Sequence, residues 1–79
     1  MSNIIPSTKP LTLLQSQVLD FIRRFSEGNG YPPTRGEISN NFGWKHPSAA
    51  QKHLNLLERK GYVRQAPKIA RGIVVIRHD

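Results

Sequence analysis

Apolar residues in the first third of the chain recur at intervals of three and four. Leu14, Val18, Phe21, Ile22 and Phe25 make one stripe, the signature of a helix with one face turned inward. Thr12 stands where an N-cap belongs, and Gly28 stands where a left-handed residue would end the helix. Asn29, Gly30, Pro32 and Pro33 follow as a stiff connection. Thr34 and Glu37 then spell a T-x-x-E capping box, in which hydroxyl and carboxylate each satisfy a backbone N–H that the helix start leaves open. The second helix is short, turns Ile38 and Phe42 inward and stops at Gly43. Trp44 to His46 lead to Pro47, whose fixed φ suits the first turn of a third helix over 47–60. There Ala50, Leu54 and Leu57 face inward, while Ser48, Gln51, Lys52, Asn55 and Arg59 point elsewhere.

Past Gly61 the pattern changes. Tyr62 to Gln65 and Ile73 to Arg77 read as β-type runs joined by the segment 66–72. Three helices followed by a two-stranded antiparallel β-hairpin make an α+β fold, the winged helix-turn-helix. With 79 residues there is material for one small domain, expected over 11–79, preceded by a flexible arm over 1–10 rich in Ser, Thr, Asn and Pro.

Composition removes several classes of function. Without cysteine there is no disulfide and no zinc cluster, and three scattered histidines make a poor metal site, so no metal or other cofactor is expected. Five carboxylates with no grouped nucleophile, base and orienting residue argue against an enzyme, and no catalytic residue or small-molecule ligand is assigned. No apolar run approaches the roughly 18 residues of a membrane span. A cytoplasmic protein with no membrane contact is the expectation.

Charge adds a direction. From Trp44 to Arg77 eight cations face a single anion, Glu58, a local net of +7, whereas Met1 to Gly43 carries only +1. A dense positive region draws a polyanion, and duplex DNA carries roughly one charge per 1.7 Å of axis. In a helix-turn-helix the second helix lies in the major groove with its first residues at the base edges. That position falls on His46, Ser48, Ala49, Gln51 and Lys52. Gln bonds adenine in bidentate fashion, Lys donates to guanine O6 and N7, Ser pairs with several edges, and the Ala methyl meets that of thymine. Arg35, Lys45, Asn55, Arg59, Lys68 and Arg71 are the expected backbone and wing contacts, with Lys68 and Arg71 on phosphate or in the minor groove. Trp44, in the turn, is expected to plug the core between helices two and three.

These residues carry a family likeness. Leu11-Thr12 with Gln17-Val18-Leu19-Asp20-Phe21-Ile22, the run Gly30 to Ile38, Pro47-Ser48-Ala49-Ala50, His53-Leu54, Leu57-Glu58-Arg59-Lys60-Gly61 and Arg71-Gly72-Ile73 resemble the N-terminal DNA-binding domain of LexA-type SOS repressors. The resemblance implies a winged helix-turn-helix that binds a palindromic operator as a dimer and blocks transcription. Repressors of that type carry a C-terminal peptidase domain that also dimerises them, and this chain ends before one, so neither self-cleavage nor that dimerisation surface is expected of it. The family's reading stretch Ser-Pro-Asn-Ala-Ala-Glu-Glu is here His46-Pro47-Ser48-Ala49-Ala50-Gln51-Lys52. Acidic side chains accept from cytosine N4, while Gln and Lys favour adenine, guanine or phosphate, so a different operator is expected.

A sequence-specific regulator of double-stranded DNA, in the sense of a repressor, is thus the leading expectation, acting as a homodimer or with a partner protein on DNA. Two others stay open: a winged-helix module that docks another regulator, and an accessory protein that coats DNA without regard to sequence.

Overall fold

The computed structural model describes residues 10–76. The expected arm, apart from Pro10, and Arg77 at the end of the expected second strand lie outside the described residues. Within them the chain runs α1 (Leu13–Asn29), α2 (Arg35–Asn41), α3 (Pro47–Arg59), β1 (Val63–Gln65) and β2 (Ile73–Val75). The strands pair antiparallel with Val63 opposite Val75, Arg64 opposite Val74 and Gln65 opposite Ile73. This is the winged helix-turn-helix order expected from the pattern.

Both expected caps form. Thr12 caps α1 in a full capping box with Gln15, and Thr34 caps α2 in a second one with Glu37. The inward stripe of α1 differs from the expected one by a rotation of about one residue: Gln15, Val18, Leu19 and Ile22 are buried, while Leu14 is 38% exposed and Phe21 and Phe25 are half-buried. Gln15 explains the rotation. Its Oε1 accepts from the Thr12 N–H at 3.0 Å and from Lys60 Nζ at 2.6 Å, so a polar side chain lies comfortably on the inner face.

Helix one also runs past Gly28. The left-handed residue is Gly30, at φ 80°, whose N–H bonds the Ser26 carbonyl. Either glycine has the freedom to end the helix. The longer form is held by Asn29 Nδ2 donating to the Phe25 carbonyl at 2.9 Å and by the Phe25 ring meeting Tyr31 edge-on at 6.0 Å.

One core serves all elements. Val18, Leu19 and Ile22 of α1, Ile38 of α2, Ala50, Leu54 and Leu57 of α3, and Val63 and Ile73 of the hairpin form a single buried cluster. Each strand alternates inward and outward, so Val63 and Ile73 join the core while Arg64 and Val74 face solvent. The wing closes where Ala66 N–H bonds the Gly72 carbonyl at 2.8 Å. A Cβ on Gly72 would stand 2.9 Å from the Ala66 Cβ and 3.0 Å from its carbonyl oxygen. Only glycine fits that crossing.

Candidate nucleic-acid interface

The angle between α2 and α3 decides what the third helix can present. It is set by a buried hydroxyl. Ser39, 2% exposed, donates from Oγ to the His46 carbonyl at 2.9 Å and accepts from the Ala50 N–H at 3.2 Å. The serine of one helix thus sits inside the first turn of the next, between a carbonyl and an N–H that would otherwise bond each other. His46 is the N-cap of α3 but makes no side-chain cap bond, which leaves its exposed imidazole at the helix start free to face outward. Across the turn Trp44 is half-buried against the core, as expected. Its ring is stacked at 4.8 Å on Phe42 on one side and at 4.8 Å on His53 on the other. His53 therefore belongs to this stack, with Nδ1 buried and unpartnered.

Successive residues turn about 100° around a helix, so Ser48, Gln51, Lys52, Asn55 and Arg59 fall within about 100° of arc, opposite the buried Ala50, Leu54 and Leu57. Ser48, Lys52, Asn55 and Arg59 are exposed, and Ala49 is half-buried at the edge of this face. Lys45 is exposed in the turn, Arg64 on the outer side of β1, and Lys68 at the tip of the wing. Lys68 is the one described non-glycine residue with positive φ, at 64°, the turn that swings the wing tip out. These five exposed cations, Lys45, Lys52, Arg59, Arg64 and Lys68, give the half of the domain from Trp44 onward its positive field.

Three other cations expected in or near the interface, or counted toward the basic half, have intramolecular partners. Lys60 bonds Gln15 and, at 3.0 Å, the Pro10 carbonyl. Arg35, expected on phosphate, donates from Nε to Gln51 Oε1 and from Nη2 to Gln65 Oε1 at 2.7 Å. Arg71, also expected on the DNA backbone, turns back from the wing to α2. It grips Glu37 through Nη1–Oε1 at 2.8 Å and Nη2–Oε2 at 2.9 Å, donates to the Pro32 carbonyl at 2.8 Å, and lies 4.5 Å over the Tyr31 ring. The bidentate geometry and the aromatic face are what a planar guanidinium binds best. The Arg71 guanidinium, helped by the Thr34 N–H, lowers the Glu37 carboxyl from an ordinary 4.5 to about 2, and Glu37 in turn raises Arg71.

Gln51, expected to read a base, is likewise engaged. Its Nε2 donates to Asn55 Oδ1 at 2.7 Å and to Gln65 Oε1 at 2.8 Å. Gln65 Nε2 donates to Asn55 Oδ1 at 3.1 Å and to Glu58 Oε1 at 2.8 Å, and its backbone N–H bonds Glu58 Oε2 at 3.2 Å. Arg35, Gln51 and Gln65 form the floor of a cleft whose far wall is the wing segment 66–70. Gln65, Glu58 and Ser39 were not singled out by sequence reasoning. Gln65 is an ordinary strand-end residue until β1 is docked on α3, and only the inward–outward alternation from Val63 puts its side chain on the helix side.

Among the described residues no group of histidines and carboxylates is arranged to hold a metal ion, and no helix is long and apolar enough to cross a membrane.

Comparison with known proteins agrees with this geometry. The family model of the LexA DNA binding domain matches residues 8–72. The chain is 51% identical over 63 residues to a LexA repressor of Pseudomonas chlororaphis and 51% identical over 63 residues to one of Marinobacter nauticus, in each case over 80% of this chain and 31% of the relative. A LexA repressor of Pseudomonas aeruginosa is 48% identical over the same length. The chain thus spans about a third of the length of these relatives.

Proposed function

We propose, from the premise that the chain belongs to the LexA DNA-binding domain family, that it is a transcriptional repressor module reading double-stranded DNA with α3 in the major groove and the wing along the backbone. The observation that carries this reading is the exposed face of α3. Its polar and cationic residues share one arc, Lys45 is exposed just before the helix, and Lys68 of the wing lines one cleft with Gln51. Ser48 in the first turn and Lys52 one turn further on reach base edges, with His46 and Ala49 beside Ser48 at the helix start. Lys45, Arg59 and Lys68 neutralise phosphates and fix the register. The helix start also carries the positive end of the helix dipole, which favours a phosphate there.

One such module covers few base pairs, so useful affinity calls for two. Two copies on a palindrome, with half-sites at a fixed separation, supply it. Selection of bound duplexes from a randomised pool at near-physiological salt tests the whole reading. A palindromic motif with one spacing is expected. Recovery of duplexes with no enriched motif would leave only the sequence-independent electrostatic term and sink the repressor reading.

A further inference from the structure

Resting on the DNA-reading role above, we propose that Asn55 reads a hydrogen-bond acceptor on a base edge, with guanine preferred, and that Arg35, Gln51 and Gln65 are positioning residues that turn its amino group outward. The chemistry of the two ends sets the direction of everything between them. Arg35 has only donors to give, and the Glu58 carboxylate at the far end only accepts. Two carboxamides bridge them, and they must therefore line up head to tail. Arg35 donates to the oxygens of Gln51 and Gln65, Gln51 donates onward to Gln65, and Gln65 donates to Glu58. Reversing either carboxamide would set an N–H₂ against the guanidinium.

Asn55 sits beside this line and receives from both. Its Oδ1 accepts from Gln51 Nε2 and from Gln65 Nε2, which fixes the oxygen inward. The amino group then faces away from the network, on an exposed residue, with no partner among the described residues. Gln51 is in the opposite condition. Both hydrogens of its Nε2 are engaged, so the bidentate reading of adenine, which needs one of them, would break the network.

The face of α3 consequently shows donors where it was expected to show a mixed donor and acceptor. Lys52 and the Asn55 amino group, three residues apart on neighbouring turns, have hydrogens to give and nothing to accept with. Guanine is the base whose major-groove edge offers two acceptors, O6 and N7, side by side; adenine and cytosine each present a donor there. A phosphate oxygen has the same acceptor chemistry, and base dependence separates the two sources.

The test uses the full chain and the motif selected by the wild type, with the melting temperature of each variant confirming its fold. Asn55→Ala is expected to weaken binding to the best site by roughly 5- to 50-fold and to relax preference at one base pair. Gln51→Ala is expected to relax the same base pair, and the double variant to lose no more than Asn55→Ala alone, because the glutamine acts through the asparagine. Gln51→Glu supplies a readout that mere structural support would not. A carboxylate cannot donate to Asn55 and accepts from its amino group instead, which leaves Gln65 Nε2 as the one donor holding the oxygen inward, so the preference for guanine is expected to weaken and to move toward a base with an exocyclic amino group. Equal weakening of all duplexes by Asn55→Ala would make its partner a phosphate and overturn base reading. Relaxation of a different base pair by Gln51→Ala, adding to the effect of Asn55→Ala, would overturn the positioning role. A wild type that selects no motif would sink the repressor reading itself, whereas a clear motif indifferent to Asn55 would sink only this assignment.

Discussion

Arg35 and Glu37 stand two residues apart in the first turn of α2, yet each leads to a different side of the wing loop. Glu37 holds Arg71, just before β2, in a two-pronged ion pair over the Tyr31 ring. Arg35 reaches Gln65, the last residue of β1, through neutral carboxamides that also take in α3. The first contact joins two groups of opposite charge whose identities leave one arrangement available. The second runs through amides, each of which has two orientations, and its direction is imposed only by the cation and the anion at its ends. One cluster therefore governs where the wing lies. The other governs which polar groups α3 displays on its exposed face.

Both clusters depend on the core beneath them, and the largest effect comes from removing it. Leu54→Ala, at a fully buried site in the shared core, is expected to lower stability by about 2–5 kcal/mol in a denaturant melt. Both clusters should be lost together in that variant, with DNA binding failing for every sequence. Gly72→Ala is narrower. The new Cβ meets the Cβ and carbonyl oxygen of Ala66 and the Cβ of Ile69 at the wing closure, atoms fixed to the backbone that have little room to yield. About 1–3 kcal/mol is expected from overpacking, with the hairpin displaced while the α2–α3 pair persists. Weaker binding with unchanged preference at the Asn55 base pair would show that the display on α3 tolerates a displaced wing. Loss of preference would show that Gln65 must be held from both sides.

Acid separates the clusters differently. The Glu37 carboxyl is lowered from 4.5 to about 2 when folded, so its contribution is fully present above about 4.5 and fades as pH falls toward about 2. Glu37→Gln keeps an oxygen for the Thr34 N–H of the capping box and gives up the ion pair. Thermal melts from neutral pH down to pH 2 should therefore show a shallower acid loss for Glu37→Gln than for the wild type. Parallel curves would mean that Arg71 contributes nothing through Glu37.

How legible each cluster is in the sequence follows from how far its parts are separated. The Thr12 N-cap, the Thr34–Glu37 capping box, the proline start of α3 and the stripe Ala50, Leu54, Leu57 are local patterns, and all of them form as expected. The stop of α1 was misplaced by two residues because Gly28 and Gly30 have equal conformational freedom and a distant ring, Tyr31, decides between them. Arg71 and Arg35 read as DNA-backbone contacts in the sequence because their partners lie 39 and 30 residues away at their farthest. The inward turn of Gln15 depends on Lys60, 45 residues on. Charge composition shows that a region is positive. It does not show which of its cations already have partners, and here that distinction separates Lys68 from Arg71.

That pair gives the finest test. Lys68 is exposed at the wing tip, whereas Arg71, at the base of the same loop, is bonded to Glu37 and Pro32. If Lys68 meets a phosphate, Lys68→Ala should weaken all sequences alike and reduce the slope of log affinity against log salt by about 0.9, the counterion release of one contact. Arg71→Ala also weakens binding, since the wing is no longer held, but no counterion release is lost with it and the slope should stay where it was. Salt titrations of the two variants on one duplex make the comparison directly. A slope reduced equally by both would put Arg71 on the DNA backbone after all, which requires the Glu37 pair to open on binding; a slope reduced by neither would take the wing tip off the DNA and leave α3 to carry the electrostatic contact.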